Sequence, residues 1–253
     1  MQQQNVVLMK NKDSWFPTKY VVYKQFYRAN RDIRYVSISS RLMVDLMADG
    51  YFSCISKYAC GDLLDLGCGF VPLYNMYKDL TKSQTCMDWQ NTLHKNEYID
   101  KECDLNKALD IENEKYDTVI LSDVLEHIKE PEALIKEIHR ITKQNGIFIL
   151  GVPFYYWIHE APYDYYRYTK YSLEYLMQKQ GFLLLHQMSI GGALDTWADL
   201  SAKIFIGIPV IGKYISNMIQ YVILKIGKTK WGTKIRKNTS DIFPLGYIIV
   251  AKK

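Results

Sequence analysis

Through the middle of the chain, short runs of consecutive apolar residues alternate with stretches in which apolar positions recur every three or four residues. The first pattern suits strands buried on both faces and the second suits helices with one buried stripe. Their alternation predicts a parallel sheet with helices on both faces. LLDLG (63–67), QTCMD (84–88) and YDTVILSD (116–123) read as strands, with EYIDKEC (97–103) as a short one between them. Residues 71–80 suit a helix with Pro72 in its first turn. Over 131–143, Leu134, Ile135, Ile138 and Ile141 form one apolar stripe behind Pro131, and Asn145-Gly146 supplies a left-handed stop. GIFILGVP (146–153) is the next strand, followed by a tyrosine-dense loop and a helix over 170–180 that ends at Gly181. FLLLHQMSI (182–190) and GYIIVAKK (246–253) read as the last two strands, separated by a long segment instead of a tight turn. Residues 1–60 are expected to form a helical, basic extension, with the apolar stretch Ile38–Ile55 as its main helix. The remainder, 61–253, is expected to be one α/β domain carrying an apolar-basic helical insertion at about 192–243.

The 253 residues are 48% hydrophobic and 23% charged, enough for a sizeable core and unlike a disordered chain. The formal net charge of +5 does not call for nucleic acid, and no such partner is expected. Its distribution changes the picture more. No acidic residue occurs between Asp199 and Asp241, where Lys213, Lys225, Lys228, Lys230, Lys234 and Lys237 fall. The stretch 203–227 is apolar but interrupted by lysines, short of the roughly 20 uncharged residues a membrane span needs. Two readings stay open: helices packed on the sheet or over the active site, or an interfacial helix pair lying on anionic headgroups through 203–237. The five cysteines lack metal-type spacing and are expected to be reduced thiols. The N-terminus lacks a secretory pattern, so a cytoplasmic chain is expected, peripheral on the inner membrane face under the interfacial reading.

Asp65-Leu66-Gly67-Cys68-Gly69-Phe70 follows a predicted strand and opens a helix, the place where glycines let a ligand approach the backbone. A dinucleotide fingerprint would put a third glycine at position 72, which is Pro72 here, so a ligand without phosphates is favoured. Asp88 ends the next strand, about 20 residues further on, where a carboxylate accepts hydrogen bonds from both ribose hydroxyls.

LLDLGCG, Asp88, Asp104 after the third strand, and YDTVILSDVLEHI followed by a helix and GIFILGVP together resemble class I S-adenosylmethionine-dependent methyltransferases of the type 11 group. The resemblance covers residues 60–190. It implies a Rossmann-like, mostly parallel sheet closed by an antiparallel last strand, with S-adenosylmethionine as cofactor. It places Asp65, Gly67, Cys68 and Gly69 beside the methionine part, and Asp88 with Trp89 at the ribose. Asp104 and Leu105 would then border the adenine, and Ser122–Asp123 would form the floor near the reactive methyl. H-x-x-P-x-D-Y-x-R-Y-T (159–169) resembles a lid over the cofactor. The N-terminal SWFPTKY, YRANRD and SSRLMVDL, with VPLY after the glycine turn, are similar to a subset of bacterial enzymes from surface-polysaccharide pathways.

Methyl transfer needs alignment, exclusion of water and removal of a proton, and requires neither a metal nor a covalent residue. His159, after the fifth strand, is the leading candidate for base or acceptor-positioning residue, and His127 is the second. His139 reads as a surface residue; His94 and His186 carry no argument. Tyr155, Tyr156, Tyr163, Tyr165, Tyr166 and Tyr168 either wall an acceptor ring or pack the loop. Arg28, Arg31 and Arg34 would share a helical face and hold an anion or stay solvated, while Asp164 and Arg167 are spaced to pair. Tyr163, Tyr165, Arg28, Arg31 and Arg167 are therefore the candidate acceptor contacts. The acceptor is expected to be a hydroxyl of a glycan or glycolipid intermediate. A quinone-type small molecule and an inactive cofactor-binding subunit remain alternatives.

Overall fold

The computed structural model describes residues 9–90 and 97–253; His94 and the first eight residues lie outside them. The main sheet has seven strands in the order β5-β4-β3-β6-β7-β9-β8. They are β3 (Asp62–Leu66), β4 (Ser83–Asp88), β5 (Lys101–Glu102), β6 (Tyr116–Ser122), β7 (Thr142–Pro153), β8 (Leu183–Ile190) and β9 (Gly246–Lys252). The first five of these are mutually parallel, and β9 runs antiparallel to both β7 and β8. The antiparallel last strand is thus inserted beside the edge strand.

Residues on alternate strand positions feed two cores, as the two-residue period of a strand requires. Leu63, Ile120, Ile149, Ile248 and Val250 pack on one face against α1 (Arg41–Tyr58), through Met47, Tyr51 and Ile55. Leu64, Leu66, Val119, Leu121, Phe148 and Ile249 pack on the other. There they meet α3 (Pro131–Ile141) and α4 (Lys170–Lys179) through Ile135, Ile138, Leu173 and Met177.

Several local expectations are corrected. The N-terminal extension is only partly helical: β1 (Tyr20–Tyr23) and β2 (Phe26–Ala29) form a hairpin with register Tyr23↔Phe26. The β-branched and aromatic run Tyr20-Val21-Val22-Tyr23 favours a strand, and Lys24 turns it with φ 59°. The predicted helix over 71–80 shrinks to α2 (Tyr74–Tyr77), because Val71 adopts φ 50° and cannot continue it. The helix from Pro131 stops at Ile141, before Asn145-Gly146. Thr142 is already extended and pairs with Tyr116, and Asn145 takes its left-handed φ of 65° inside the strand that follows. The strand predicted over 97–103 keeps two residues. Just before them, the Asp100 carboxylate replaces ladder bonding by accepting from Cys86 N (2.7 Å) and Lys10 N (2.8 Å).

The insertion folds into α5 (Ala193–Phe205), α6 (Gly212–Gly227) and α7 (Lys230–Thr239), three helices in place of a pair. Leu42 of α1, Ala198 and Ile223 form their shared apolar core. The Arg236 guanidinium grips Asp195 with two bonds of 2.7 and 2.8 Å, fixing α7 to α5. Asp199 and Lys203, one turn apart, form an ion pair with both side chains buried. Removing one partner of such a pair strands a buried charge, at about 3–5 kcal/mol. Asp199→Ala should lower unfolding free energy by about 3 kcal/mol in urea titration, and the double variant Asp199→Leu, Lys203→Met should recover most of it; equal losses in the two would refute the pairing.

Candidate active site

At the carboxyl ends of the parallel strands lies a cavity of about 610 Å³, within the usual range for small-molecule sites. It opens where the strand order reverses between β3 and β6, the crevice in which open α/β sheets hold ligands.

The glycine turn after β3 forms its base. Gly67 and Gly69 adopt φ 72° and 52°, conformations that a side chain disfavours. A Cβ at Gly67 would lie 2.6 Å from Val124 Cγ2. Gly67 N and Cys68 N donate to Met87 O at the end of β4, at 2.7 and 3.1 Å. The Asp88 carboxylate turns back toward the bend: Gly69 N donates to its Oδ2 (2.8 Å) and Trp89 N to its Oδ1 (2.7 Å). Trp89, Asp104 and Leu105 continue the wall, with the Trp89 ring edge-on to Tyr163 at 5.5 Å.

Asp65 is the cofactor-site candidate that does not line the cavity. It is buried on the other side of its strand, where Tyr77 Oη donates to Oδ2 (3.0 Å) and Oδ1 has no partner. The alternation of β3 puts Asp65 on the same side as Leu63, inside the core. Burial, offset in part by the Tyr77 hydroxyl, pushes its pKa up to about 7.

Ser122 and Asp123 lie at the end of β6. Asp123 is engaged by Lys19 Nζ (2.7 Å) and by the Tyr51 hydroxyl (3.2 Å). Burial works against the Lys19 charge, but the Asp123 carboxylate outweighs it and holds the ammonium well above its ordinary pKa. Lys19 and Tyr20 bring the N-terminal segment over the cavity beside Met43 and Met47 of α1. Nothing in the spacing of SWFPTKY singles out Lys19, because its partner is 104 positions away.

The wall after β6 and β7 gathers His127, His159 and Glu126, a carboxylate without any exposure. Both histidine Nε2 atoms stand 3.7 Å from Glu126 Oε1. Burial lowers the His159 pKa, but Glu126 and Asp164 reverse this and hold it above the ordinary histidine value. Burial raises the pKa of Glu126. Glu126 lies within the DVLEH motif, yet burial of its side chain was not legible there.

Of the acceptor candidates, Tyr163 and Tyr165 line the cavity with Tyr156, whereas Tyr166 and Tyr168 pack the loop by donating to Lys129 O and Leu125 O. Arg28, Arg31 and Arg167 do not line it. The shared helical face of the N-terminal arginines is corrected: Arg28 lies in β2 over the Tyr23 ring, Arg31 pairs with Asp45, and Arg34 pairs with Asp32. Of the three, only Arg34 reaches the cavity wall. Arg167 is taken up by Asp164 in a two-pronged pair (2.5 and 2.7 Å) that braces the loop. His139, expected at the surface, is half-buried against Phe182. No residue of the helical insertion lines the cavity, so it is not the substrate cover. The cysteines among the described residues are free thiols.

Residues 64–150 match the family model described as a methyltransferase domain. No relative is found among curated proteins. A SAM-dependent methyltransferase from Archaeoglobus fulgidus is similar in fold (TM-score 0.52, 17% identity), over 85% of this chain and 93% of its own. So is an S-adenosylmethionine-dependent methyltransferase from Mesorhizobium loti (TM-score 0.51, 13% identity), over 82% and 100%. The [4+2]-cyclase SpnF is equally close (TM-score 0.51, 16% identity), over 83% and 82%. At these identities the structural likenesses establish the fold alone. The matched segment is similar to a methyltransferase domain set in a Rossmann-like sheet, and the cofactor expected for such a domain is S-adenosylmethionine. The residues present fit that cofactor, with a glycine bend lining the cavity, a buried carboxylate facing the bend and no phosphate-binding third glycine.

Because the folded pKa of Asp65 lies above its unfolded value, the native state holds the proton more tightly. Its stability contribution is complete below about pH 4 and falls as pH rises to 7. Asp65→Asn should leave stability near pH 4 little changed and raise it by up to about 4 kcal/mol at pH 8. Parallel pH profiles of urea midpoints in the two proteins would refute this.

Proposed function

We propose that this protein transfers a methyl group from S-adenosylmethionine to a hydroxyl of a glycan or glycolipid intermediate, working against an anionic membrane surface. Bound in the cavity, the cofactor would supply an electrophilic methyl group for in-line displacement and would be left as S-adenosylhomocysteine.

The chain's own residues divide the work. Asp88, held at the bend by the Gly69 and Trp89 amides, receives the ribose hydroxyls. Trp89, Asp104 and Leu105 border the base, and the bend at Gly67–Gly69 takes the methionine part. The observation that carries the hydroxyl reading is the polar wall of His159, His127 and Glu126 on the loops after β6 and β7. His159 positions the acceptor hydroxyl there and takes its proton on the imidazole. Tyr156, Tyr163 and Tyr165 give flat faces for a ring-shaped acceptor, and the loop carrying them keeps water away.

The membrane part rests on α6. This helix buries Ser216 and Gln220 beside Ile223 and exposes Tyr214, Met218, Tyr221 and Val222, so polar residues share its inner face while large apolar ones stand outside. Gln220 Oε1 accepts from Leu42 N (2.7 Å) and the Ser216 hydroxyl donates to Ala202 O (2.7 Å), which explains the polar inner face. Val210 is 82% exposed, Ile204 74% and Trp231 62%, and the exposed Lys213, Lys225, Lys228, Lys230 and Lys234 fall in the same stretch of chain. An apolar ridge set among lysines complements an anionic lipid surface. Among the described residues, no helix is long and apolar enough to cross a membrane. The ridge adjoins the site: Lys203 Nζ lies 4.3 Å from the ring centre of Tyr156 and 5.7 Å from that of Trp157, two residues before His159.

Calorimetry with S-adenosylhomocysteine and transfer of labelled methyl to a cell-envelope extract test the reaction together. Hydrogen bonds to a charged group contribute about 1.5–3 kcal/mol each, so Asp88→Ala should weaken binding by roughly 100-fold. His159→Ala should cut transfer by at least about 100-fold and leave binding nearly unchanged. Unaltered binding in the first variant, or matching losses in the second, would sink these assignments. Separately, the protein should float with vesicles of mixed zwitterionic and anionic lipid at low salt. The triple variant Tyr214→Ser, Met218→Ser, Tyr221→Ser should stay behind, and its flotation at wild-type level would exclude the membrane surface.

A further inference from the structure

Glu126, His127 and His159 each offer one donor atom, and the three atoms lie within 4.8 Å of one another. Their surroundings define what occupies the space between them. Neither oxygen of the fully buried Glu126 carboxylate has a hydrogen-bond partner. A buried carboxylate left in that condition is costly.

The outer nitrogens of the two imidazoles explain why the histidines do not relieve it. His127 Nδ1 lies 2.9 Å from Tyr163 O, an acceptor only, so that nitrogen carries the proton. His159 Nδ1 faces two acceptors, Asp164 Oδ2 at 3.3 Å and Trp157 O at 3.4 Å. Both Nε2 atoms therefore face Glu126, and each turns a lone pair on it whenever its ring is neutral. Three potential ligand atoms converge on one space. One proton satisfies a single carboxylate–histidine contact and leaves the other histidine facing a carboxylate. A metal ion satisfies all three.

We infer that Glu126, His127 and His159 bind one divalent transition-metal ion, of the zinc or manganese class, in the wall of the cavity. Two imidazoles and a carboxylate suit such borderline ions, and three protein ligands leave open positions on the cavity side. Histidine ligands commonly donate their other N–H to a carboxylate or backbone carbonyl, the arrangement seen here with Asp164 and Tyr163. Asp164 is itself held by Arg167 and by the His159 backbone N–H (2.9 Å), so it travels with the histidine it supports. Bonds of about 2.0–2.2 Å require the donor atoms to close in, the longest separation by more than about 1 Å. His159 rides on a loop and supplies that movement. The ion's catalytic meaning rests on the hydroxyl-acceptor reading: it would hold the acceptor oxygen and lower its pKa, replacing the metal-free chemistry expected from sequence. Ion binding itself does not depend on that reading.

Full-length protein without an affinity tag, freed of metal by a chelator, is titrated calorimetrically with Zn²⁺ and Mn²⁺, and Co²⁺ binding is followed by visible absorption. One ion per chain is expected. Glu126→Gln and His159→Ala should each weaken binding by on the order of 100-fold, and Asp164→Asn by about 10–100-fold. His139→Ala should leave it unchanged. S-adenosylhomocysteine binding in the same variants shows that they are folded. Absence of stoichiometric binding of any of the three ions, or undiminished binding in folded Glu126→Gln, His159→Ala and Asp164→Asn, overturns the site. Full methyl transfer by metal-free protein overturns the ion's catalytic part and leaves the transferase reading standing.

Discussion

The site depends first on the tie between the ends of β3 and β4. Leaving β3, the chain turns through two left-handed glycines, and three amides of that turn are claimed from the neighbouring strand. Met87 O takes Gly67 N and Cys68 N, while the Asp88 side chain takes Gly69 N and Trp89 N. Each Asp88 oxygen is thereby anchored to a backbone amide. The acceptor is thus oriented before anything binds, which lowers the ordering cost of binding. Val124 packed against Gly67 extends the same constraint to β6. The positions of Asp88, the bend and the start of the DVLEH motif are consequently one geometric unit.

A second tie closes the cavity from the N-terminal side. Asp123 adopts φ 54°, unusual for a residue with a side chain, and directs its carboxylate to Lys19 and Tyr51. The hairpin β1–β2 and helix α1 are therefore part of the site, linked to it through one charge pair and one hydroxyl. The expected division at residue 60 describes the chain's order in sequence but not its packing. Met9, Tyr20, Val36 and Met47 belong to the same core as Leu63 and Ile120.

The parallel sheet was legible because strand-length apolar runs and a 3.6-residue stripe are local signals. Leu134, Ile135, Ile138 and Ile141 are buried as their spacing predicts. Asp88 was legible for a similar reason, since its distance from the bend is set by one strand–helix–strand unit. Long-range placements were not. Lys19 on Asp123, Arg31 on Asp45 and the Asp100 carboxylate on Cys86 N join residues that no period connects. Asp65 shows the limit of motif reading: the motif names the residue, but strand alternation sends it into the core, against Tyr77. Asn145 has the predicted left-handed conformation without the predicted role, because pairing of Thr142 with Tyr116 had already drawn the chain into the sheet.

The helical insertion shows how composition and structure answer different questions. Its sequence is compatible with a cover over the site, and a cover would turn the apolar residues of α6 inward. The structure turns Ile223 into the insertion's own core and leaves Tyr214, Met218, Tyr221 and Val222 outside, because Gln220 and Ser216 claim the rest of the inner face by bonding to Leu42 N and Ala202 O. Those bonds fix the rotation of α6 about its axis, so the exposure of Tyr214, Met218 and Tyr221 follows from buried polar satisfaction and not from surface preference. Lys203 transmits that arrangement to the active-site loop. It is pinned by Asp199 beneath the Tyr156 and Trp157 rings, the segment that delivers His159. Ile158, the residue before His159, is itself 78% exposed. On the proposed reading, a surface that engages the ridge also meets the loop bearing the acceptor-positioning histidine, so docking and catalysis share one structural element.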